Sequence, residues 1–428
     1  MRVLMFGWEF PPYISGGLGT ACLGLTKGLA HLGTEILFVL PRLDSDEEGR
    51  HLTLMGANRI RAKVGISEIR QLRERLAVLE VLSPLRPYLT EVEYRTLIEK
   101  NELITTEDIF AELENDFAGG YGENLMAEIV RYSLIGAHLG MSQEFDVIHA
   151  HDWLTAPAGI EAKRVSGKPL VVHAHALEFD RSGEHVNQSV YDIERAGFEA
   201  ADRIIAVSHF TKETIVHRYS IDPAKITVVH NAVEKERRLG QLRVKKPFKE
   251  KLVLFLGRIT FQKGPDYFVE AAAKVLEKNP DVRFAMAGTG DMLPRMVERM
   301  AELRLADRFH FLGFVRGADV ERIYAMSDLY VMPSVSEPFG ITPLEAMVFD
   351  VPCIVSKQSG VAEVLEDAVK VDFWDVDRLA FEIQDILEDE ERAGELVKKG
   401  RETLKKVQWD HAAERVLDVY RQLTGGRS

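Results

Sequence analysis

Residues 334–347, SVSEPFGITPLEAM, carry two carboxylates, Glu337 and Glu345, around a Pro/Gly loop that opens a helix. The apolar run 329–332 before the loop reads as a buried strand. Pro338 and Gly340 then interrupt regular structure, and Leu344, Met347 and Val348 restart a helical stripe. A helix starting near Thr342 or Pro343 aims free backbone N–H groups and its positive dipole end into the loop, which favours an anion such as a diphosphate. Carboxylates accept hydrogen bonds from hydroxyls, so the two acids suit a hexose and a ribose on either side of that anion. The plainer alternative is that Glu345 only complements the helix dipole and Glu337 is a solvated loop residue.

A second cluster follows another apolar strand, KLVLFL at 251–256, and runs Gly257-Arg258-Ile259-Thr260-Phe261-Gln262-Lys263-Gly264. Arg258 can grip phosphate oxygens through two N–H groups at once and Lys263 adds a compact point charge. Together they neutralise a departing diphosphate without a metal. Ordinary surface ion pairing is the bland reading of the same two cations.

The elements around these loops repeat strand, then helix. Strand patterns fall at 3–6, 36–40, 147–150, 170–173, 203–207 and 226–229, and again at 252–256, 283–287, 309–312, 329–332 and 353–356. Between the first two, Leu18, Cys22, Leu25, Leu29 and Leu32 keep helical spacing and Gly33 can cap the end; 125–139 reads as a further helix. Such alternation implies mostly parallel, doubly wound sheets, which bind ligands beyond their strands' carboxyl ends. Residues 44–121 break the rhythm with charged, amphipathic segments and few convincing strands, so they read as an insertion that covers one face or shapes an acceptor site. The basic stretch 234–251 reads as a linker.

The chain of 428 residues exceeds what one core usually serves, so two domains are expected, at 1–235 and 236–410 with a last helix at 411–428. Its composition, 46% hydrophobic and 28% charged, is that of an ordinary globular protein. A net charge of -13 argues against binding nucleic acid or an anionic membrane surface. Cys22 and Cys353 form no motif, no apolar run is long enough to span a bilayer, and no leader is evident, so a reduced, cytoplasmic setting is expected.

The ordered pair G-R-x4-K-G and E-x7-E resembles the retaining glycosyltransferases of the GT-B fold, family 4 type, with features of glycogen and starch synthases. Supporting segments run along nearly the whole chain: Pro11-Pro12, Gly16-Gly17-Leu18-Gly19, His149-Ala150-His151-Asp152-Trp153, His173-Ala174-His175-Ala176-Leu177, Asn231, and Ala287-Gly288-Thr289-Gly290. The resemblance implies two Rossmann-like domains facing across a cleft, with the final helix crossing back to the first. It implies catalytic roles for His175, Arg258, Lys263 and Glu337. Donor contacts fall to Gly17, Gly19, Asn231, Gly290, Phe339, Gly340, Ile341, Thr342 and Glu345, and the acceptor or sugar side to His151, Asp152 and Trp153. No cofactor and no metal are implied. The expected activity is glucose transfer from UDP- or ADP-glucose to an α-glucan. Glycogen synthases of bacteria carry K-x-G-G-L where this chain has Ile14 at the lysine position, and an acid where it has Thr20, so UDP-glucose stands level with ADP-glucose.

Residue chemistry leaves alternatives open. Gly16, Gly17 and Gly19 do not complete G-x-G-x-x-G, because Cys22 occupies the last place, so they allow close backbone approach rather than dinucleotide binding. His175 could equally be a satisfied core imidazole. The two H-A-H pairs and Asp152 could ligate zinc or iron and make a metallohydrolase, though their spacing is not a helical metal motif. Synthesis of a small glycoside or mannosyl product, a nucleotide-sugar epimerase and a non-catalytic carbohydrate binder complete the field.

Overall fold

The computed structural model describes residues 1–11, 16–43, 51–60, 125–234, 244 and 246–425. Most of the expected insertion, part of the expected linker, and Pro12 and Ile14 lie outside the described residues. The chain divides into two compact units, Met1–Val229 with Trp409–Ser428, and His230–Gln408.

Unit 1 runs β1 (Arg2–Phe6), α1 (Gly17–His31), β2 (Glu35–Leu40), β3 (Thr53–Gly56), α2 (Leu125–Ser142), β4 (Val147–His151), α3 (Ala156–Ser166), β5 (Leu170–Ala174), α4 (Glu178–Ser182), α5 (Gln188–Ala200), β6 (Arg203–Ala206), α6 (His209–Tyr219) and β7 (Ile226–Val228). The strands form one parallel sheet in the order β3-β2-β1-β4-β5-β6-β7. Strands covered by helices on both faces must be apolar on both, which is why VLMF and ILFVL are unbroken hydrophobic runs. One face, with Leu4, Phe6, Ile148, Ala150 and Val172, packs on Tyr132 and Ile129 of α2 and Phe198 of α5. Tyr132 also donates to the carbonyl of Val39 (2.7 Å), so its hydroxyl is not stranded in the core. Helix starts are fixed by side chains: Asn187 accepts from the Ser189 amide (3.1 Å) and Ser208 from the Thr211 amide (2.9 Å).

Unit 2 runs β8 (Lys251–Leu256), α7 (Pro265–Lys278), β9 (Val282–Ala287), α8 (Leu293–Glu302), β10 (Phe309–Gly313), α9 (Ala318–Met326), β11 (Leu329–Met332), α10 (Thr342–Val348), β12 (Cys353–Ser356), β13 (Val369–Val371), α11 (Val376–Glu388) and α12 (Glu390–Lys406). Its parallel sheet has the order β10-β9-β8-β11-β12-β13. Phe268 and Val275 of α7 and Ile383 of α11 seal a core with Val253, Phe284, Val331 and Ile354.

Two strands escape the sequence reading. β3 lies inside the region read as strand-poor and pairs in parallel with β2, and β13 pairs with β12. They are four and three residues long and sit at sheet edges, so neither repeats a pattern long enough to read.

The chain then returns to unit 1 as α13 (Trp409–Thr424), packed on α1. A Cβ on Gly24 of α1 would lie 2.1 Å from Cε2 of the Trp409 side chain, and one on Gly28 would lie 2.8 Å from the Trp409 carbonyl oxygen. The docking therefore needs glycine at both places. Gly24→Ala is expected to cost about 1–3 kcal/mol and to lower the melting temperature of unit 1, measured by scanning calorimetry. An unchanged melt would show that α13 does not hold this contact. Among the described residues no helix is long and apolar enough to cross a membrane.

Candidate active site

A doubly wound parallel sheet opens a crevice where its strand order reverses, beyond the carboxyl ends. In unit 2 that point lies between β8 and β11. The loops that leave these two strands are the two read from sequence as phosphate- and sugar-binding. They are tied together: the Lys263 ammonium pairs with Oε2 of Glu337, and the Gln262 carbonyl accepts from the amide of Val335 (2.9 Å). The Lys263 side chain is 20% exposed and that of Glu337 only 9%, so this pair is shielded far more than a surface ion pair. Gly264, which ends the first loop, has φ +62° and a Cβ there would lie 2.2 Å from the Pro333 carbonyl oxygen. Only glycine lets the loops approach so closely.

The second loop is built from its own backbone and two tyrosines. The Glu337 amide donates to the Gln358 carbonyl (3.0 Å), its carbonyl accepts from Gly360 (2.9 Å), and the Phe339 carbonyl accepts from Val361 (2.7 Å). Phe339 itself is buried, and Gly340 turns the chain at φ +93°. Beyond it, Tyr330 donates to Thr342 Oγ1 (2.7 Å) and Tyr324 reaches Glu345 Oε2 (3.4 Å). Burial pushes both phenols well above their ordinary pKa, so they remain donors. α10 has only seven residues, barely two turns, so its dipole is a weak source of positive potential at this loop. Arg258 follows β8 directly and is half-buried, and Gly290 approaches the same loop so closely that a Cβ would lie 2.2 Å from the Ile259 carbonyl oxygen.

Asn231 is buried beside His230, which pairs with Glu363 (2.7 Å) and lies 6.0 Å from the Phe339 ring. Sequence reasoning passed over His230, Tyr324 and Tyr330. The tyrosines were legible only as polar-tipped residues within otherwise apolar runs.

In unit 1 the order reverses between β1 and β4. Gly17 and Gly19 open α1, after β1; Gly17 is exposed and Gly19 buried. After β4 the chain turns through Asp152, which holds φ +62°. Its Oδ1 accepts from the amides of His175 (2.6 Å) and Ala176 (3.3 Å), fixing the end of β5 to the end of β4. His151 and Trp153 are buried, at 0% and 5% exposed, with Arg181 over the Trp153 ring. His175 is only half-buried and its Nε2 lies 2.9 Å from His151 Nδ1. The site candidates therefore fall into two groups: Arg258, Lys263, Glu337, Gly340, Thr342 and Glu345 gather in unit 2, and Asp152 and His175 join in unit 1.

Four imidazoles, His149, His151, His173 and His175, share this part of unit 1. Burial holds His149 and His175 down to about 3; burial, then the neighbouring imidazoles, hold His151 and His173 well below the ordinary value. The unfolded chain titrates them near 6.5, so between about 3 and 6.5 it binds more protons than the folded one. The stability they confer is present above pH 6.5 and is lost as pH falls through that window. Asp152, pushed up to about 7 by burial, works in the opposite sense and offsets one of the four. In metal-free buffer the melting temperature is expected to drop steeply below about pH 6, and His149→Gln to make that slope shallower by about 1.4 kcal/mol per pH unit. Melts across a pH series that stayed flat would contradict the burial of these rings.

The family model described as "Glycosyl transferases group 1" matches residues 241–403, and the one described as "Glycosyltransferase Family 4" matches residues 127–237. The alpha-maltose-1-phosphate synthase of Mycolicibacterium smegmatis is 30% identical, over 68% of this chain and 84% of its own length. The glycogen synthase of Mycobacterium tuberculosis is 24% identical over 98% of this chain and 94% of its own. Among solved structures, the sucrose-phosphate synthase of Thermosynechococcus elongatus superposes with a TM-score of 0.70 at 21% identity, covering 99% of both chains.

Proposed function

The chain belongs to the family 4 glycosyltransferases of the GT-B fold, and from that premise we propose that it is a retaining hexosyltransferase that passes glucose from a nucleotide-glucose to an α-glucan. The observation that carries the proposal is the joining of the β8 and β11 loops through Lys263 and Glu337. It sets a fixed cation and a fixed carboxylate side by side at a strand-order reversal, the arrangement needed for a diphosphate attached to a hexose. Arg258 and Lys263 neutralise the leaving diphosphate, with the amides of Gly340, Ile341 and Thr342 beside them. Glu337, whose described bonds use Oε2, takes sugar hydroxyls, and Glu345, oriented by Tyr324, takes the ribose. Asn231, Gly290 and the Phe339 backbone complete the donor side.

In unit 1, Gly17 and Gly19 offer backbone, and His175 an imidazole, to a phosphate or a sugar. Asp152 positions His175 through its amide, and His151 does so through its ring. Trp153 supports the acceptor side from behind, beneath Arg181. No covalent nucleophile is needed: the departing phosphate takes the proton of the acceptor hydroxyl on the same face of the sugar, and retention follows. The buried, unpaired Cys22 and Cys353 accord with a cytoplasmic setting.

A second reading, transfer to a small phosphorylated sugar, is favoured by the similarity to the maltose-1-phosphate synthase. One experiment separates the readings. Purified chain is given UDP- or ADP-glucose with either glycogen or glucose 1-phosphate, and the products are followed by proton NMR. Growth of glycogen through α linkages is the expected result. A disaccharide phosphate instead would select the second reading, while β linkages, or a new sugar isomer with no acceptor product, would remove both.

A further inference from the structure

The transfer reaction employs His175, positioned by His151, and gives His149 and His173 no task of their own. His149 and His151 are two residues apart on β4 and so share a face of the sheet, and His173 of β5 stands opposite His151 in register. The rings of His149 and His151 are 4.3 Å apart, and that of His173 lies 5.3 and 5.4 Å from them. All three are closed off from solvent, at 0%, 0% and 2% exposed.

Their hydrogen bonding is incomplete. His149 Nδ1 meets the Tyr420 hydroxyl and His151 Nδ1 meets His175 Nε2, yet among the described residues Nε2 of both rings and both nitrogens of His173 have no hydrogen-bond partner. A neutral imidazole carries a donor and a lone pair, and leaving either unmet in an interior is costly. In the tautomer with the N–H of His149 and His151 on Nδ1, one of the two these bonds allow, Nε2 of each ring carries the lone pair. An outer hydrogen bond of that kind is the usual companion of a metal-bound histidine.

One ligand atom from each of the three rings lies within 4.8 Å of the others. Tetrahedral zinc at about 2.0–2.1 Å from nitrogen needs its ligands about 3.4 Å apart; the rings are stacked, with 19° to 29° between their planes, so binding turns each ring to aim its lone pair at the ion as well as drawing the nitrogens together. Three neutral nitrogen donors and no carboxylate suit a borderline d-block ion and not magnesium or calcium.

We propose that His149, His151 and His173 bind a divalent zinc-class ion inside unit 1, joining β4 to β5 and, through Tyr420, to the returning helix α13. This reverses the sequence expectation of no metal. The ion takes no part in sugar transfer: a water completes its tetrahedron beside the three imidazoles, and through His151 it fixes the orientation of His175.

The test reads metal, not activity, so it stands or falls apart from the transfer reaction. Full-length chain is stripped with chelator, reloaded with zinc or cobalt(II), desalted, and analysed by elemental mass spectrometry, absorption and thermal melting. The expected result is one ion per chain, a melting temperature several degrees above that of the stripped protein, and cobalt bands of tetrahedral nitrogen ligation without a thiolate charge-transfer band. His173→Ala should lose the ion, while His217→Ala, at an exposed histidine, should keep it. If His173→Ala does not fold, the parent chain's cobalt spectrum and melting shift decide alone. Absent or substoichiometric metal, an octahedral oxygen-type spectrum, or a folded His173→Ala that retains the full equivalent would overturn the site.

Discussion

Lys263→Ala is expected to transfer sugar about 10²–10³-fold more slowly than the parent chain, with the loss in kcat. Lys263 is one of two cations beside the proposed diphosphate, and charge on that group grows as the glycosidic bond breaks. An interaction stronger in the transition state than in the bound donor appears in kcat; one that only holds the donor appears in KM. Arg258→Ala should behave similarly. Lys263 projects from a loop and is 20% exposed, so the fold of unit 2 should survive its removal, although Glu337 loses its counterion. Glu337→Gln is the informative companion, since it keeps the shape of the loop pair and removes the charge that holds Lys263 in place. Steady-state kinetics on the three variants decide the matter. If Lys263→Ala raised KM and left kcat intact, the lysine would bind the donor without assisting departure.

The second large effect is on stability. Gly288→Ala is expected to destabilise unit 2 by on the order of 3–4 kcal/mol, the sum of backbone strain and overlap. Gly288 follows β9 with φ +139°, a conformation that L side chains rarely adopt, and a Cβ there would lie 1.8 Å from the Gly257 carbonyl oxygen. Its amide also donates to the Gly313 carbonyl (2.7 Å), so the ends of β8, β9 and β10 are joined through this residue. Displacing Gly257 displaces Arg258, the next residue, and activity should fall with stability. Gly394→Ala, on α12 with open space around it, serves as the control and should be neutral or stabilising. Denaturant unfolding of the two variants measures the difference. A Gly288→Ala chain as stable as the parent would mean that the three strand ends are not locked together.

The two sheets were legible because parallel strands covered on both faces are written as unbroken apolar runs, as at VLMF, ILFVL and KLVLFL. β3 and β13 were not, since TLMG and VKV are too short to carry a pattern. In the site, the loops themselves were legible, because glycine, proline and charge directly after an apolar strand mark a carboxyl-end loop. The bond between Lys263 and Glu337 was not, because 74 residues separate them and only the pairing of β8 with β11 brings them together. The H-A-H pairs showed that each pair shares a face. Their convergence required the register that sets His173 against His151, which no local pattern encodes. Trp153, read as lining the acceptor side, proves buried, because the turn at Asp152 carries it inward.

The most direct test of the central claim is a crystal of the full chain soaked with UDP-glucose or ADP-glucose. The account predicts diphosphate density against Arg258 and Lys263, with the hexose at Glu337 and the ribose at Glu345. A nucleotide sugar bound elsewhere, with the β8 and β11 loops empty of it, would contradict the account.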